Sequence, residues 1–264
     1  MKITVFTSNQ RRHNFLINSL SKISSQIFVV QESRSLFPGK LKDFYPKSKL
    51  MKGYFRNVEK AEKKIFGDCF IKSKKNISLL PIKLGDLNSC SKSMLKNFLK
   101  SDLYIVFGSS YIKGFLINFL IKKKAINIHM GVSPYYRGTD CNFWSLYDNN
   151  VNFTGATMHL ISKGLDSGDI LYHALSNVKS SPFEYTMSTV KSAIISLQKK
   201  IKDKSIFKLS PSKQNKKKEI RYSKKKDFND KAIRRYNKMK INLKKDIKYD
   251  LKKYKNPFIL KKIG

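Results

Sequence analysis

Acidic charge, proline and cysteine are all scarce in this chain. Against 55 Lys and Arg there are 18 Asp and Glu, and among 264 residues there are seven prolines, three cysteines and one tryptophan. Cys69, Cys90 and Cys141 are scattered without the spacing of a disulfide framework or a zinc site, which fits a reducing, cytoplasmic setting. No apolar run is long enough to span a bilayer, so no membrane span is expected. The N-terminal Met1-Lys2-Ile3-Thr4-Val5-Phe6-Thr7 passes straight into polar residues and reads as a first strand rather than a signal peptide.

What is abundant is lysine. The formal net charge of +37 would suit nucleic acid, anionic lipid or a phosphorylated substrate. Yet the lysines run along the whole length and far outnumber arginine, while Asn, Ile, Phe, Tyr and Ser are plentiful. That profile is what an AT-rich coding sequence produces, and no zinc finger or RNA-binding signature accompanies it. Nucleic-acid binding stays open as the other reading of the charge. With 41% hydrophobic residues the chain can bury a sizeable core, and its length suggests one domain or one domain with an appendage.

The pattern of apolar residues gives the architecture. A buried-strand run over 2–7, a helical spacing over 14–23 and a strand over 26–31 make a βαβ unit and imply a parallel sheet. Further strands are expected at 77–82, 103–107, 125–129 and 154–161. Helices are expected near 54–66, 91–99, 114–121 and 143–147, and over 185–201. From about Ser210 the composition turns to a lysine-rich linker or arm, with some helical character from Asp230 to Lys255. The expected division is a catalytic domain over 1–205 and a short basic C-terminal extension over 206–264. The expected class is α/β, a Rossmann-like, mostly parallel sheet flanked by helices.

Three side chains stand out chemically. Asn127 and His129 are two apart in an apolar-flanked run, so on a strand they share a face. Asp166 lies in the Gly-bracketed loop Gly164-Leu165-Asp166-Ser167-Gly168. Acyl transfer to an amine needs the amine to lose a proton, the oxyanion to be stabilised and the leaving group to gain a proton. An imidazole handles protons near neutral pH, a carboxylate orients it, and an amide can donate to the oxyanion. Spacing alone is weak evidence, because Asn-x-His is common by chance.

The surrounding sequence is more specific. Asn127-Ile-His-Met-Gly-Val-Ser-Pro-Tyr-Tyr-Arg-Gly138, then Asn142-Phe143-Trp144, Gly155-Ala-Thr-Met-His159 and Gly164-Leu-Asp-Ser-Gly-Asp-Ile-Leu171 together resemble the folate-dependent formyltransferase family. The match is dense over 103–172; residues 1–35 fit only as a generic Rossmann-like start, and 205–264 match nothing firmly. The resemblance implies the formyltransferase fold, 10-formyltetrahydrofolate as donor co-substrate, no metal, and Asn127, His129 and Asp166 as catalytic residues. It also places a pterin against the backbone of Ser110, Tyr111, Ile112 and Lys113 and of Ser162, Gly164 and Leu165, a donor–acceptor edge that suits such a ring. Tyr135, Tyr136 and Arg137 are candidates for the acceptor pocket, Arg137 alternatively as an anchor for its loop. His159 could touch reactants or support those that do, and Trp144 reads as core.

Within the family, the glycinamide ribonucleotide enzymes have a Gly-rich phosphate loop after the first strand, where this chain has Thr7-Ser-Asn-Gln-Arg-Arg-His13, with no glycine to permit close backbone approach. Methionyl-tRNA formyltransferases carry a basic C-terminal barrel, for which about fifty residues after Ser210 are few, although a reduced tRNA-binding arm stays open. The nucleotide-sugar N-formyltransferases fit the length and the Tyr-Tyr-Arg-Gly, Asn-Phe-Trp style. The leading expectation is therefore N-formylation of a small, nucleotide-linked amino sugar. Alternatives are a methionyl-tRNA enzyme, a 10-formyltetrahydrofolate hydrolase, which would usually carry an added N-terminal module, or an RNA-binding protein on this scaffold. A homodimer is compatible with all of these.

Overall fold

The computed structural model describes residues 1–41 and 43–243. A seven-stranded sheet runs in the order β3-β2-β1-β4-β5-β7-β8. Its strands are β1 (Lys2–Ser8), β2 (Gln26–Ser33), β3 (Ile77–Lys83), β4 (Leu103–Phe107), β5 (Ile126–His129), β7 (Ala156–Leu160) and β8 (Ile170–Ala174). The pairings from β3 through β5 are parallel; β7 and β8 close the other edge antiparallel. The central strands β1, β4 and β5 are buried along nearly their whole length because helices cover both faces. Pro81, which has no N–H to give a ladder, sits on the edge strand β3.

On one face, α1 (Arg11–Ser21), α2 (Lys49–Phe66) and α5 (Pro182–Lys202) bury Leu16, Leu20, Phe66, Val190, Ile194 and Leu197 against Ile3, Val5, Ile27 and Ile105. On the other, α3 (Gly114–Lys122) packs Leu116 and Leu120 on Phe6, Val30, Tyr104 and Val106. Alternate residues of β1 and β4 thus feed opposite cores, as a period of two requires. The helix ends follow local chemistry: Ser48 caps α2 by accepting from the Met51 N–H at 2.9 Å, Asn229 caps α6 (Asp230–Lys238) through Ala232 N–H, and Pro182 opens α5.

Four expectations need correction. Residues 91–99 form a chain of turns, not a helix. Ser91 Oγ takes the Met94 N–H as an N-cap would, but the backbone bonds that follow alternate between four-residue steps (Leu95→Ser91) and three-residue steps (Lys96→Ser93), so no regular α-helix forms. The sequence pattern predicts no strand at β8 and no partner in the C-terminal arm for β6 (Tyr136–Gly138), yet β6 pairs in parallel with β9 (Arg221–Ser223). Finally, residues 206–243 are no separate appendage. Phe228, Ile233, Tyr236 and Leu243 are buried with Met51 of α2 and with Phe143 and Trp144 of α4 (Cys141–Tyr147) in a second core. The part of the expected extension over 244–264 lies outside the described residues.

Candidate functional site

The strand order turns back between β1 and β4, and in open parallel sheets such a switch point leaves a crevice beyond the carboxyl ends of the strands. A cavity of about 830 Å³ opens there, within the range of small-molecule sites. Its walls come from the segments after β1 (Arg12, His13), β2 (Arg34, Phe44, Tyr45), β4 (Gly108 to Ile112) and β5, and from the loop after β7.

Asn127, His129 and Asp166 line it together. His129 Nδ1 lies 3.3 Å from Asp166 Oδ2, and Asn127 Nδ2 donates to Asp166 Oδ1 at 3.2 Å. A fourth member joins them. His159 is the antiparallel partner of Asn127 across β5 and β7, so the two side chains share a face. Its Nε2 is 3.0 Å from Asn127 Nδ2 and its Nδ1 is 2.8 Å from Leu160 O. These partners assign the tautomer with Nδ1–H donating to the carbonyl and Nε2 accepting from the amide. Both Asn127 amide hydrogens are then engaged, so it can donate to an oxyanion only by releasing one of them.

His129 sits between two acceptors, the Asp166 carboxylate and the Tyr136 carbonyl, the latter at 3.1 Å from Nε2. Only the imidazolium satisfies both. Burial pulls the ring below the usual imidazole value, against the pull of Asp166 in the other direction. The resting ring is therefore neutral near pH 7 and has partners waiting when it takes a proton. Burial pushes the Asp166 carboxyl up, but His129, His159 and the Gly138 N–H outweigh it and hold it below the carboxylate range.

The loop carrying Asp166 is built to hold one conformation. Asp166 has φ +47°, a left-handed geometry that a non-glycine residue keeps only when its surroundings insist. Gly138 N–H donates to Asp166 Oδ2 at 3.2 Å, and a Cβ on Gly138 would meet Ser223 O at 2.0 Å. Arg137 donates to the carbonyls of Leu165 and Asp166 and pairs with Glu219 at 2.7 Å. Gln214 Nε2 donates to the Asp166 and Gly168 carbonyls at 2.9 and 2.7 Å.

The structure thus separates the other expected site residues. Arg137 is the anchor of the Asp166 loop and does not line the cavity. Tyr135 packs against Phe153 with ring centroids 4.3 Å apart and the planes tilted by 40°. Tyr136 is fully buried, its hydroxyl bonded to Asp148 and Asn150. Neither tyrosine reaches the cavity, because the turn sends both rings into the second core. Ser110, Tyr111, Ile112, Ser162, Gly164 and Leu165 do line it. Two of the expected backbone donors are spent elsewhere, however. Ser110 N–H goes to the buried Glu32 carboxylate, and Lys113 N–H goes to Asn88 Oδ1 at 2.7 Å, with Lys113 off the cavity wall. Trp144 is core, as expected, under the Arg221 guanidinium. Among the described residues no group of three or more His, Cys, Asp or Glu is placed to hold a metal ion, and no helix is long and apolar enough to cross a membrane.

Behind the site, His173 is 1% exposed and contacts Ser133 O at 2.8 Å. Burial pulls its ring down to about 4; His13 and His129 are lowered by burial too. Unfolded, each would titrate near about 6.5. Below that pH the unfolded chain binds more protons, so stability is full above about pH 6.5 and falls as pH drops towards about 4. Replacing His173 with Gln is expected to flatten this acid limb, by about 3 kcal/mol at pH 4 relative to pH 7. Urea unfolding at stepped pH checks it; identical slopes for variant and parent would refute it.

Residues 99–206, a stretch that holds Asn127, His129, His159 and Asp166, match the family model described as formyl transferase. A methionyl-tRNA formyltransferase from Prochlorococcus marinus (strain MIT 9515) is 29% identical over 130 residues, which are 49% of this chain and only 37% of that relative. Two solved structures share the fold. A 4-N formyltransferase from Francisella tularensis aligns with TM-score 0.52 and 21% identity over 86% of this chain and 77% of its own. An N-formyltransferase from Helicobacter canadensis, solved with folinic acid and dTDP-3-aminofucose, aligns with TM-score 0.52 and 16% identity over 87% and 73%.

Proposed function

We propose that the protein transfers a formyl group from 10-formyltetrahydrofolate to the primary amine of a small, nucleotide-linked amino sugar. The observation that carries this is the meeting of Asn127, His129 and Asp166 on one cavity wall within the stretch that matches the formyl transferase family model. The Helicobacter protein, solved with a folate and a nucleotide-linked amino sugar, supports the pairing of donor and acceptor classes.

The residues present fit a folate. Val106, Ile112, Ile117, Ile161 and Leu165 give apolar walls for a flat ring beside the polar loops at 108–112 and 162–166. When bound, the folate supplies the formyl carbon that the amine attacks. His129 receives the amine's proton, and the resulting imidazolium is held between Asp166 and Tyr136 O. The same proton then goes to the departing folate nitrogen. Asn127 serves the oxyanion by giving up its bond to Asp166. Asp166 keeps His129 in place, and Arg137 and Gln214 keep Asp166 in place.

The test is product analysis with the purified chain and 10-formyltetrahydrofolate. Tetrahydrofolate release that requires a nucleotide-linked amino sugar, with one formyl mass added to it, is the expected result. Release only with methionyl-tRNA would give the acceptor role to tRNA, for which the Prochlorococcus relative is the supporting observation. Release without any acceptor would indicate a hydrolase.

A further inference from the structure

Asn127, His129 and Asp166 fall inside the matched stretch 99–206. Much of the remaining cavity wall comes from outside it: Arg12 and His13, Arg34 to Val58, and Tyr222 to Tyr236. One arrangement there is not explained by holding the fold together. The Arg34 guanidinium and the Lys225 ammonium each stand 4.5 Å from the centre of the same ring, Phe44. All three residues line the cavity.

Neither cation has a carboxylate within ion-pair distance among the described residues. The negative charges that act on Arg34 are otherwise engaged. Glu32 accepts from Gly85 N–H and from Ser110, and Asp140 accepts from the Tyr45 hydroxyl at 2.7 Å. Arg12, the other guanidinium on this wall, is paired through Nη1 with Glu62 at 2.8 Å, and its Nε too is buried without a partner, but it has a carboxylate where Arg34 has none. Arg34 is fixed by donating from Nη2 to Gly108 O at 2.8 Å, yet its Nε is buried with no partner. A half-buried guanidinium with an unused donor, beside a second cation on one ring, is short of counter-charge. A ring can hold each cation, but it does not cancel their repulsion, and a bound anion does.

We propose that Arg34 and Lys225, framing Phe44, form a subsite for a phosphate or diphosphate group of the amine acceptor. The guanidinium supplies planar paired donors and the ammonium a mobile point charge, a pair suited to phosphate oxygens. The assignment of this anion to the acceptor rests on the formyl-transfer reading; the anion site itself does not.

Isothermal titration of the full chain with inorganic pyrophosphate reads the subsite directly. Binding is expected to weaken about tenfold or more in Lys225→Gln and again in Arg34→Gln, with partial recovery in Arg34→Lys. Lys225 is exposed, so its variant reports on charge and not on folding; a melting curve serves the same end for Arg34→Gln. Displacement of pyrophosphate by UDP would identify a nucleoside diphosphate as the source, and displacement by inorganic phosphate alone would identify a simple phosphomonoester. Absent binding, or equal binding in parent and both variants, would overturn the proposal. So would displacement by polyuridylate alone, which would give these cations to RNA. His129→Asn is expected to abolish formyl transfer and leave pyrophosphate binding intact, so failure of the catalytic reading and failure of the subsite are read separately.

Discussion

Replacing His129 or Asp166 with Ala is expected to cut turnover by at least about a hundredfold, the scale for losing an acid–base group. The two losses should not add, because both break one device. Without His129 no ring takes the amine's proton between Asp166 and the Tyr136 carbonyl. Without Asp166 the ring remains but loses the carboxylate that raises its proton affinity against burial. Asp166→Asn should therefore move the acid limb of kcat/KM further down, since the negative charge removed is what holds the imidazole pKa up against burial. The parent's own limb is expected below the ordinary imidazole value of about 6.5, with activity rising as the ring becomes neutral. Single-turnover rates from about pH 4 to pH 8 would show both effects. Near-normal turnover in either alanine variant, or a double variant reduced by the product of the two single losses, would remove the pair from the chemistry.

Much of this trio could be read in advance because its members lie in local patterns. Asn127 and His129 share a strand, and period-two geometry puts them on one face whatever the rest of the chain does. Asp166 announces itself by flanking glycines; Gly168 is needed because a Cβ there would meet Leu160 O at 1.7 Å. His159 was harder. Its place depends on the register between β5 and β7, which sets it opposite Asn127, and register is not a property of either segment alone. Tyr135 and Tyr136 misled because tyrosine beside a site motif suggests contact, whereas the turn after Val132 sends both rings inward, where their buried area does more for stability. Arg137 was legible as a loop anchor, the second of its two readings, and bonds the Leu165 and Asp166 carbonyls; Gln214 gave no signal, since it acts by long-range bonds to main-chain carbonyls of the same loop. The lysine-rich composition after Ser210 hid an integral segment: the apolar residues that dock it, Phe228, Ile233 and Tyr236, are thinly spread among charges, and helix α6 shows its stripe only once the partner surface is known.

That docking leads to the second large effect. A chain ending at Ser210 is expected to lose cooperative folding. The cut removes β9, which pairs with β6 beside the Asp166 loop, and Arg221, whose two bonds hold Asp148 at 2.8 and 2.7 Å. It also strips Phe228, Ile233, Tyr236 and Leu243 from the second core. Full burial of a large apolar side chain is worth about 1.5–3 kcal/mol, so four such losses rival the about 5–15 kcal/mol that holds a domain together. Folate binding is expected to be lost with the segment, because Gln214 clamps the carbonyls of Asp166 and Gly168 beside the cavity. Thermal unfolding followed by near-ultraviolet circular dichroism should show no sharp transition for the truncated chain. Gln214→Ala should keep the transition and lose about tenfold in turnover, the cost of one clamp carrying a pair of hydrogen bonds. A truncated chain that melts like the parent and still binds a folate would show the segment to be an appendage after all. If the truncated chain is unfolded while Gln214→Ala turns over normally, residues after 210 hold the fold but do not set the Asp166 loop.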